Sequence, residues 1–274
     1  MLQPIGLLGR GAGYRQVLNT SGAARQPGFM TETKKIALVT GANKGIGRYV
    51  AQQLAEAGTT VLLGSRDVAR GQSTVDELTG DVQLAVLDVT DAASIAAVAK
   101  QIEEDFGRLD ILVNNAGISL GAALPSEENL DDLRRTYEAN VFGVVAVTNA
   151  LLPLLKRSEA PRIVNVSSGL GSFAVMQRVD EPYGEFNAIS YQTSKAALNA
   201  VTVMYAKELR DTAFKVNAIS PGYRRTDLGG VKAEDKPGAG DPAEGALSVT
   251  RLALLDDDGP TGEFHLDTGG LCPW

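Results

Sequence analysis

The stretch Thr40-Gly41-Ala42-Asn43-Lys44-Gly45-Ile46-Gly47 narrows the possible folds more than any other part of this chain. It follows an apolar run, Ile36-Ala37-Leu38-Val39, and opens a helical pattern through Val50, Ala51 and Leu54. A strand that turns through glycines into a helix start is a phosphate cradle, because free amides and the positive dipole end of the helix meet the anion. Gly41 permits the tight turn, Gly45 lets a diphosphate approach the main chain, and Gly47 allows helix and strand to pack closely. A glycine-rich turn alone also suits an ordinary loop, so its weight comes from the strand before it and the helix after it.

The rest of the chain supplies that context. Thr60-Val61-Leu62-Leu63 reads as a second strand ending in Gly64-Ser65-Arg66-Asp67. NAD-binding folds place a carboxylate at this strand end to accept the adenosine ribose hydroxyls. Here Ser65 stands about where the carboxylate is expected and Arg66 follows, a planar fork suited to a 2′-phosphate. Lys44 offers a second cation. A helix over 67–78 leads to a third strand over 82–87, ending at Asp88, and a helix with Ile95, Val98, Ile102 and Phe106 leads to Ile111-Leu112-Val113 and then Asn114-Asn115-Ala116-Gly117. A long helical stretch over 129–156 contains Asn140, whose side chain competes with backbone bonds and marks a candidate distortion. A strand over 162–166 ends at Ser167-Ser168, and a Gly/Pro/polar connection over 169–190 follows. Tyr191 and Lys195 then share one face of the next helix. A strand over 215–219 leads to Ser220-Pro221-Gly222, a charged loop over 223–240, a helix over about 242–255 and a short strand over 264–266. This alternation implies an α/β fold, a single-domain Rossmann-type doubly wound parallel sheet, with the ligand crevice at the carboxyl ends of its strands.

Composition excludes several alternatives. The chain has 274 residues, 44% of them hydrophobic, enough for a substantial core, and its net charge of −7 disfavours a nucleic-acid partner. One cysteine, Cys272, and one histidine, His265, leave no internal disulfide and too few ligands for a metal site, so a zinc-dependent dehydrogenase is discarded. No stretch reads as long and apolar enough to span a membrane. Residues 1–30 carry Arg10, Arg15 and Arg25 and no acidic residue. They read as a disordered extension ahead of Met30, with the catalytic domain over 31–274 and a cytoplasmic location; an organellar targeting segment is the alternative.

Taken in order, Thr40 to Gly47, Asp88, Asn114 to Gly117, Asn140, Ser168, Tyr191 with Lys195, and Pro221-Gly222 with Thr226 resemble the short-chain dehydrogenase/reductase family over about residues 34–274. The Asn43-Lys44 pair, the Arg66-Asp67 pair, the lengthened connection before Tyr191 and the final Trp274 are similar to NADPH-dependent carbonyl reductases. The resemblance implies a reductase of ketones, aldehydes or quinones using NADPH/NADP+. Gly41, Asn43, Lys44, Gly45, Ile46, Gly47, Arg66, Asp88, Asn114, Gly117, Pro221, Gly222 and Thr226 would hold the cofactor, together with Tyr191 and Lys195. Carbonyl reduction also needs a proton donor and a group to stabilise charge on oxygen. Tyr191 would be the acid, with its pKa lowered by the Lys195 ammonium and the oxidised nicotinamide. Ser168 would hold the substrate oxygen, and Asn140 would hold a water relaying protons to Lys195. One departure is Arg224, at a position where family members usually carry an aliphatic residue and the main chain meets the nicotinamide carboxamide.

Two other readings stay open: an alcohol dehydrogenase running in the oxidative direction, and an NADP(H)-binding regulator without turnover. The connection over 169–190 carries Phe173, Val175, Met176, Tyr183, Phe186 and Ile189. It is expected to shield the face of the following helix and favour a monomer over a homo-oligomer; the alternative is that it forms a wall of the substrate pocket.

Overall fold

Successive residues of a strand face opposite sides of a sheet, and in this chain both sets are apolar, so both faces require helical cover. A computed structural model describes residues 34–121, 123–178 and 186–274. The extension read over residues 1–30 lies outside them. Strands β1 (Ile36–Val39), β2 (Thr60–Ser65), β3 (Val82–Val86), β4 (Ile111–Asn114), β5 (Arg162–Val166), β6 (Lys215–Ser220) and β7 (Phe264–Leu266) form one seven-stranded sheet in the order β3-β2-β1-β4-β5-β6-β7. Every neighbouring pair is parallel. Ile36, Leu38, Leu62, Leu112 and Ile163 face α3 (Ala92–Phe106), α5 (Gly143–Leu155) and α7 (Ile189–Glu208). Ala37, Val39, Val61, Leu63, Val113 and Val164 face α1 (Gly45–Glu56), α2 (Val68–Glu77) and α8 (Pro242–Ala253). Each fully buried Leu or Val side chain contributes about 1.5–3 kcal/mol.

The expected long helix over 129–156 is two helices, α4 (Leu130–Tyr137) and α5, joined by a π-helical turn, Glu138–Phe142. The distortion expected at Asn140 is this wide turn. It directs the fully buried Asn140 side chain inward, to partners outside the helix. The same run corrects the reading that nothing could span a membrane. Residues Leu130–Leu155 are long and apolar enough by length and composition, with a mean hydropathy of 1.5. Their apolar side chains, Val144, Val147, Leu151 and Leu155, are spent on the core. The connection after β5 contains a 3₁₀ turn (Gly169–Gly171) and a short helix, α6 (Phe173–Met176), neither of which periodicity shows in so short a stretch.

Beneath the carboxyl ends lies a buried polar network. The Asn114 amide donates to Asn165 Oδ1 (2.9 Å) and Thr148 Oγ1 (3.2 Å), and the Asn165 amide donates to Thr202 Oγ1 (2.9 Å). These bonds tie β4 and β5 to α5 and α7. Asn165→Ala should lower stability by about 1–3 kcal/mol in urea unfolding, because the buried Asn114 amide loses one of its two acceptors and Thr202 loses its donor.

Candidate active site

The crevice lies where strand order reverses, between β1 and β4, and two side chains join the turns that leave them. Thr40 Oγ1 accepts the N–H groups of Asn115 (3.0 Å) and Ala116 (2.9 Å), and the Asn115 amide donates to the carbonyls of Thr40 (2.9 Å) and Gly41 (3.1 Å). The close approach explains the glycines. A Cβ on Gly41, which has φ +61°, would lie 2.9 Å from the Ala116 Cα, and one on Gly47 would lie 2.4 Å from the Asn115 amide nitrogen. The Asn43 carbonyl accepts from Thr74 Oγ1 (3.0 Å), which anchors the turn to α2. Lys44 occupies the N-cap position of α1 without any side-chain cap. By contrast α2, α3, α4 and α8 are capped by Asp67, Asp91, Asn129 and Asp241. A cap contributes about 1 kcal/mol, so its omission at the glycine turn leaves donors for an outside anion.

Past the end of β2, a cleft of about 730 Å³ is lined by Arg66, Asp67, Val86, Asp88, Asp91, Ser94 and Ala97. Its three carboxylates are already engaged. Asp67 caps α2 and pairs with Arg70, Asp91 caps α3, and Asp88 accepts from Thr90 N and Oγ1. Burial alone would raise the Asp88 pKa, but the Thr90 hydrogen bonds and the Arg66 charge outweigh it and hold the group below its ordinary value. Ser65 is buried, with its hydroxyl donated to the Asp67 carbonyl (2.8 Å). Lys44 departs from its expected position toward a phosphate: it pairs with Asp227 (3.1 Å), both side chains being more than half exposed. Such a surface pair contributes at most about 1 kcal/mol and is readily exchanged.

At the end of β5 the other candidate residues converge. Ser168 caps the Gly169–Gly171 turn, and its hydroxyl stands near enough to the Tyr191 phenol to act on its pKa in the lowering direction. Gly171 lets that turn lie against α7, since a Cβ there would come within 2.7 Å of the Lys195 carbonyl carbon. Lys195 Nζ donates to the Val166 carbonyl (2.8 Å) and sits 5.7 Å from the Tyr191 ring centroid. Asn140 Oδ1 accepts from Ile118 N (2.8 Å), and its amide donates to Ile118 O (2.9 Å) and Ser194 Oγ (3.0 Å). These bonds use both amide protons and one lone pair of Oδ1, so the Asn140 side chain also braces loop to helix. Gly117 admits this arrangement, since a Cβ there would lie 3.2 Å from Asn140 Oδ1 and 3.5 Å from Lys195 Nζ. The Asn114 side chain turns into the buried network beneath the crevice, which leaves its main chain at the end of β4 to face the site. Thr226 rests near Gly45, where an added Cβ would be 3.3 Å from its methyl group. Pro221 and Gly222 follow β6, and Gly222 has φ +79°.

Sequence reasoning passed over Thr40, Asn115 and Ser194, which hold the site residues in place. The only local signal was their position inside or beside the motifs. In the connection before Tyr191, Leu170, Val175, Met176, Phe186 and Ile189 line a cleft of about 220 Å³ with Pro125, Asn187, Gln192 and Thr193. Val203 and Met204 on α7 are exposed. Residues 179–185 lie outside the described structure, and Phe173 is exposed.

The family described as short chain dehydrogenase matches residues 35–237. The chain belongs to the short-chain dehydrogenase family. It is 35% identical to (−)-isopiperitenone reductase of Mentha piperita over 86% of this chain and 97% of that protein. Salutaridine reductase of Papaver somniferum is similar in structure, with a TM-score of 0.72 and 32% identity over 85% of this chain and 100% of that one. The NADPH-bound carbonyl reductase from chicken fatty liver aligns with a TM-score of 0.77 and 28% identity over 88% of this chain and 99% of that one.

In this short-chain dehydrogenase the ionisation of Tyr191 and Lys195 is shifted by burial. Loss of water pushes the Tyr191 phenol up to about 12 despite the nearby Ser168 hydroxyl, and pushes the Lys195 ammonium down to about 8. The expected lowering of the tyrosine pKa is therefore absent from the protein alone, because desolvation of a phenolate outweighs its neighbours. The sign for stability follows from the lysine. Unfolded Lys195 holds its proton up to its ordinary value of 10.5, and folded Lys195 loses it at about 8. Between these values the unfolded chain binds more protons, so this group's contribution to stability rises with pH. Relative to Lys195→Met, the wild-type unfolding midpoint should improve as pH rises through about 8, measured by denaturant titrations below and above that value.

Proposed function

We propose that this chain is an NADPH-dependent reductase of ketone, aldehyde or quinone carbonyls, with Tyr191 as proton donor. The observation that carries this reading is the convergence of Ser168, Tyr191 and Lys195 at strand ends that also hold an uncapped, glycine-lined helix start. The reductase names of its relatives and the NADPH bound to the chicken carbonyl reductase support it.

The residues present fit the cofactor. Gly41, Gly45 and Gly47 keep side chains out of a cradle whose helix is uncapped, and Arg66 stands in a cleft whose carboxylates are engaged. Lys44 becomes a second cation for the 2′-phosphate once it leaves Asp227. When bound, the cofactor supplies the hydride. The protein's part is placement of the proton and of the polar oxygens. The neighbouring Ser168 and Tyr191 hydroxyls each turn their one proton to the substrate oxygen, so that negative charge developing there is stabilised by two donors. Burial keeps the Tyr191 phenol in its protonated form, the state from which it can donate. The Lys195 ammonium, fixed on the Val166 carbonyl, stabilises the phenolate left behind. The apolar wall of Leu170, Val175, Met176 and Phe186 excludes water and favours an apolar substrate body.

NADPH consumption with a panel of carbonyl compounds tests the reading directly; NADPH binding without any turnover would favour the regulator instead. Tyr191→Phe should abolish turnover while NADPH titration shows nearly unchanged affinity. Arg66→Ala should reduce the preference for NADPH over NADH by about tenfold or more, as expected for a charge-assisted phosphate contact of about 1.5–3 kcal/mol. Met176→Ala should change the ranking of substrates in that panel without changing the mass of the particle in light scattering.

A further inference from the structure

The loop after β6 runs from the catalytic end of the crevice to the phosphate end. At its start, Ser220 Oγ accepts the N–H of Gly169, the residue after Ser168 (2.9 Å). At its far end Thr226 lies near Gly45 and Asp227 pairs with Lys44. Residues 221–225 therefore span the middle of the crevice, and their height over it is set by whatever holds them from behind.

That support is Arg224. Its side chain is only 12% exposed although it belongs to a loop. Nε donates to the Pro221 carbonyl (2.7 Å), Nη1 pairs with Glu244 in the first turn of α8 (2.8 Å), and Nη2 pairs with Asp267 just after β7. The main chain joins in: Gly240 N donates to the Tyr223 carbonyl (2.9 Å) and Arg225 N to the Gly240 carbonyl (3.0 Å). Three glycines make the space. A Cβ on Gly240 would lie 2.3 Å from Arg224 Nη1, one on Gly245 would lie 2.9 Å from the Pro221 carbonyl oxygen and 3.1 Å from Arg224 Cγ and Nε, and one on Gly222 would lie 2.3 Å from Asp267 Oδ2. Gly240 and Gly245 have no positive φ, so close approach accounts for glycine at both: of the guanidinium at Gly240, and of the Pro221 carbonyl together with the Arg224 side chain at Gly245. An aliphatic side chain would need neither this space nor the two carboxylates. A lysine could not serve three directions at once, because it lacks the rigid fork.

We propose that Arg224 is a positioning residue that clamps residues 221–226 to α8 and to the turn after β7, and so sets how a bound cofactor's reactive end lies against Tyr191. The proposal rests on the NADPH reductase reading. It takes the place of an aliphatic contact with a partly buried, three-way polar strut, whose removal leaves Asp267, with 19% of its side chain exposed, without its partner.

The test uses the full chain with Arg224→Leu, Arg224→Lys and Asp267→Asn. Four quantities are measured: NADPH affinity by fluorescence titration, hydrogen exchange of peptides covering 221–240 with and without NADP+, kcat and KM for a carbonyl substrate, and the deuterium isotope effect with deuterated NADPH. In wild type, NADP+ should protect 221–240. Arg224→Leu should lose most of that protection and lower kcat by about tenfold to a hundredfold, the scale of a small misplacement of reacting groups, with KM nearly unchanged and a larger isotope effect. Arg224→Lys should fail to restore these values, and Asp267→Asn should move them in the same direction. If Arg224→Leu does not fold, Asp267→Asn decides the matter, since Arg224 keeps Glu244 and Pro221. Wild-type protection, kcat and isotope effect in the folded variants would overturn the proposal, as would a loss of activity that only tracks a lower melting temperature. Wild-type protein that neither binds nor consumes NADPH would overturn the reductase reading and the clamp together. A working wild type with indifferent variants would refute the clamp alone.

Discussion

The hydrogen bonds that join the exits of β1 and β4 are the constraint on which the site depends. The two strands are neighbours, yet the chain leaves β1 toward β2 and leaves β4 toward β5, so a gap opens between their turns. Thr40 and Asn115 fix the width of that gap. With the width fixed, Gly41 and Gly47 cannot carry side chains, and the amides at the start of α1 are left without a side-chain cap. The same turn after β4 passes Gly117 to Ile118, which Asn140 grips from the π-helical turn. Asn140 also holds Ser194, and Ser194 Oγ donates to the Tyr191 carbonyl (2.7 Å). Hydrogen bonds thus link the glycine turn to the helix that carries Tyr191.

Burial of Tyr191 and Lys195 is costly for stability and useful for chemistry. A phenol and an ammonium removed from water both shift toward neutral forms, which is why their values move in opposite directions from the ordinary ones. The ammonium is tolerated because the Val166 carbonyl accepts from it. Local rules are broken here in favour of function, as they are at the uncapped start of α1.

The cofactor-side electrostatics depend on neutralisation as much as on cations. Asp67, Asp88 and Asp91 crowd the cleft beside Arg66 and would repel a phosphate if they were free. Helix capping and short-range bonds to Thr90 and Arg70 absorb their charge. Lys44 and Asp227 hold each other at the loop that also carries Arg224, so the phosphate end and the reactive end of the crevice share one covering segment.

Much of the fold was legible in the sequence because its signals are local. Strand periodicity, glycine turns and the alternation of strand and helix each arise from residues a few positions apart, and the strands lie within a residue or two of where the pattern places them. The clustering of the candidate residues was legible for the same reason: Tyr191 and Lys195 share a helical face, and Ser168 closely follows a strand. Side-chain direction was not legible. Adjacent asparagines after β4 look alike in sequence, yet Asn114 is buried in the sheet network while Asn115 holds the glycine turn. Asn140 was legible as a distortion but not as a brace, because Ile118 and Ser194 are distant in the chain. The value of each titrating group and the role of Arg224 likewise depend on burial and on partners brought from other elements. What the sequence alone determined was the order of strands and helices and the residue types at their ends, since these follow from local sterics and periodicity. Which of those residues share a hydrogen bond, lose water or face the crevice was decided only by tertiary packing, because those properties belong to pairs far apart in the chain.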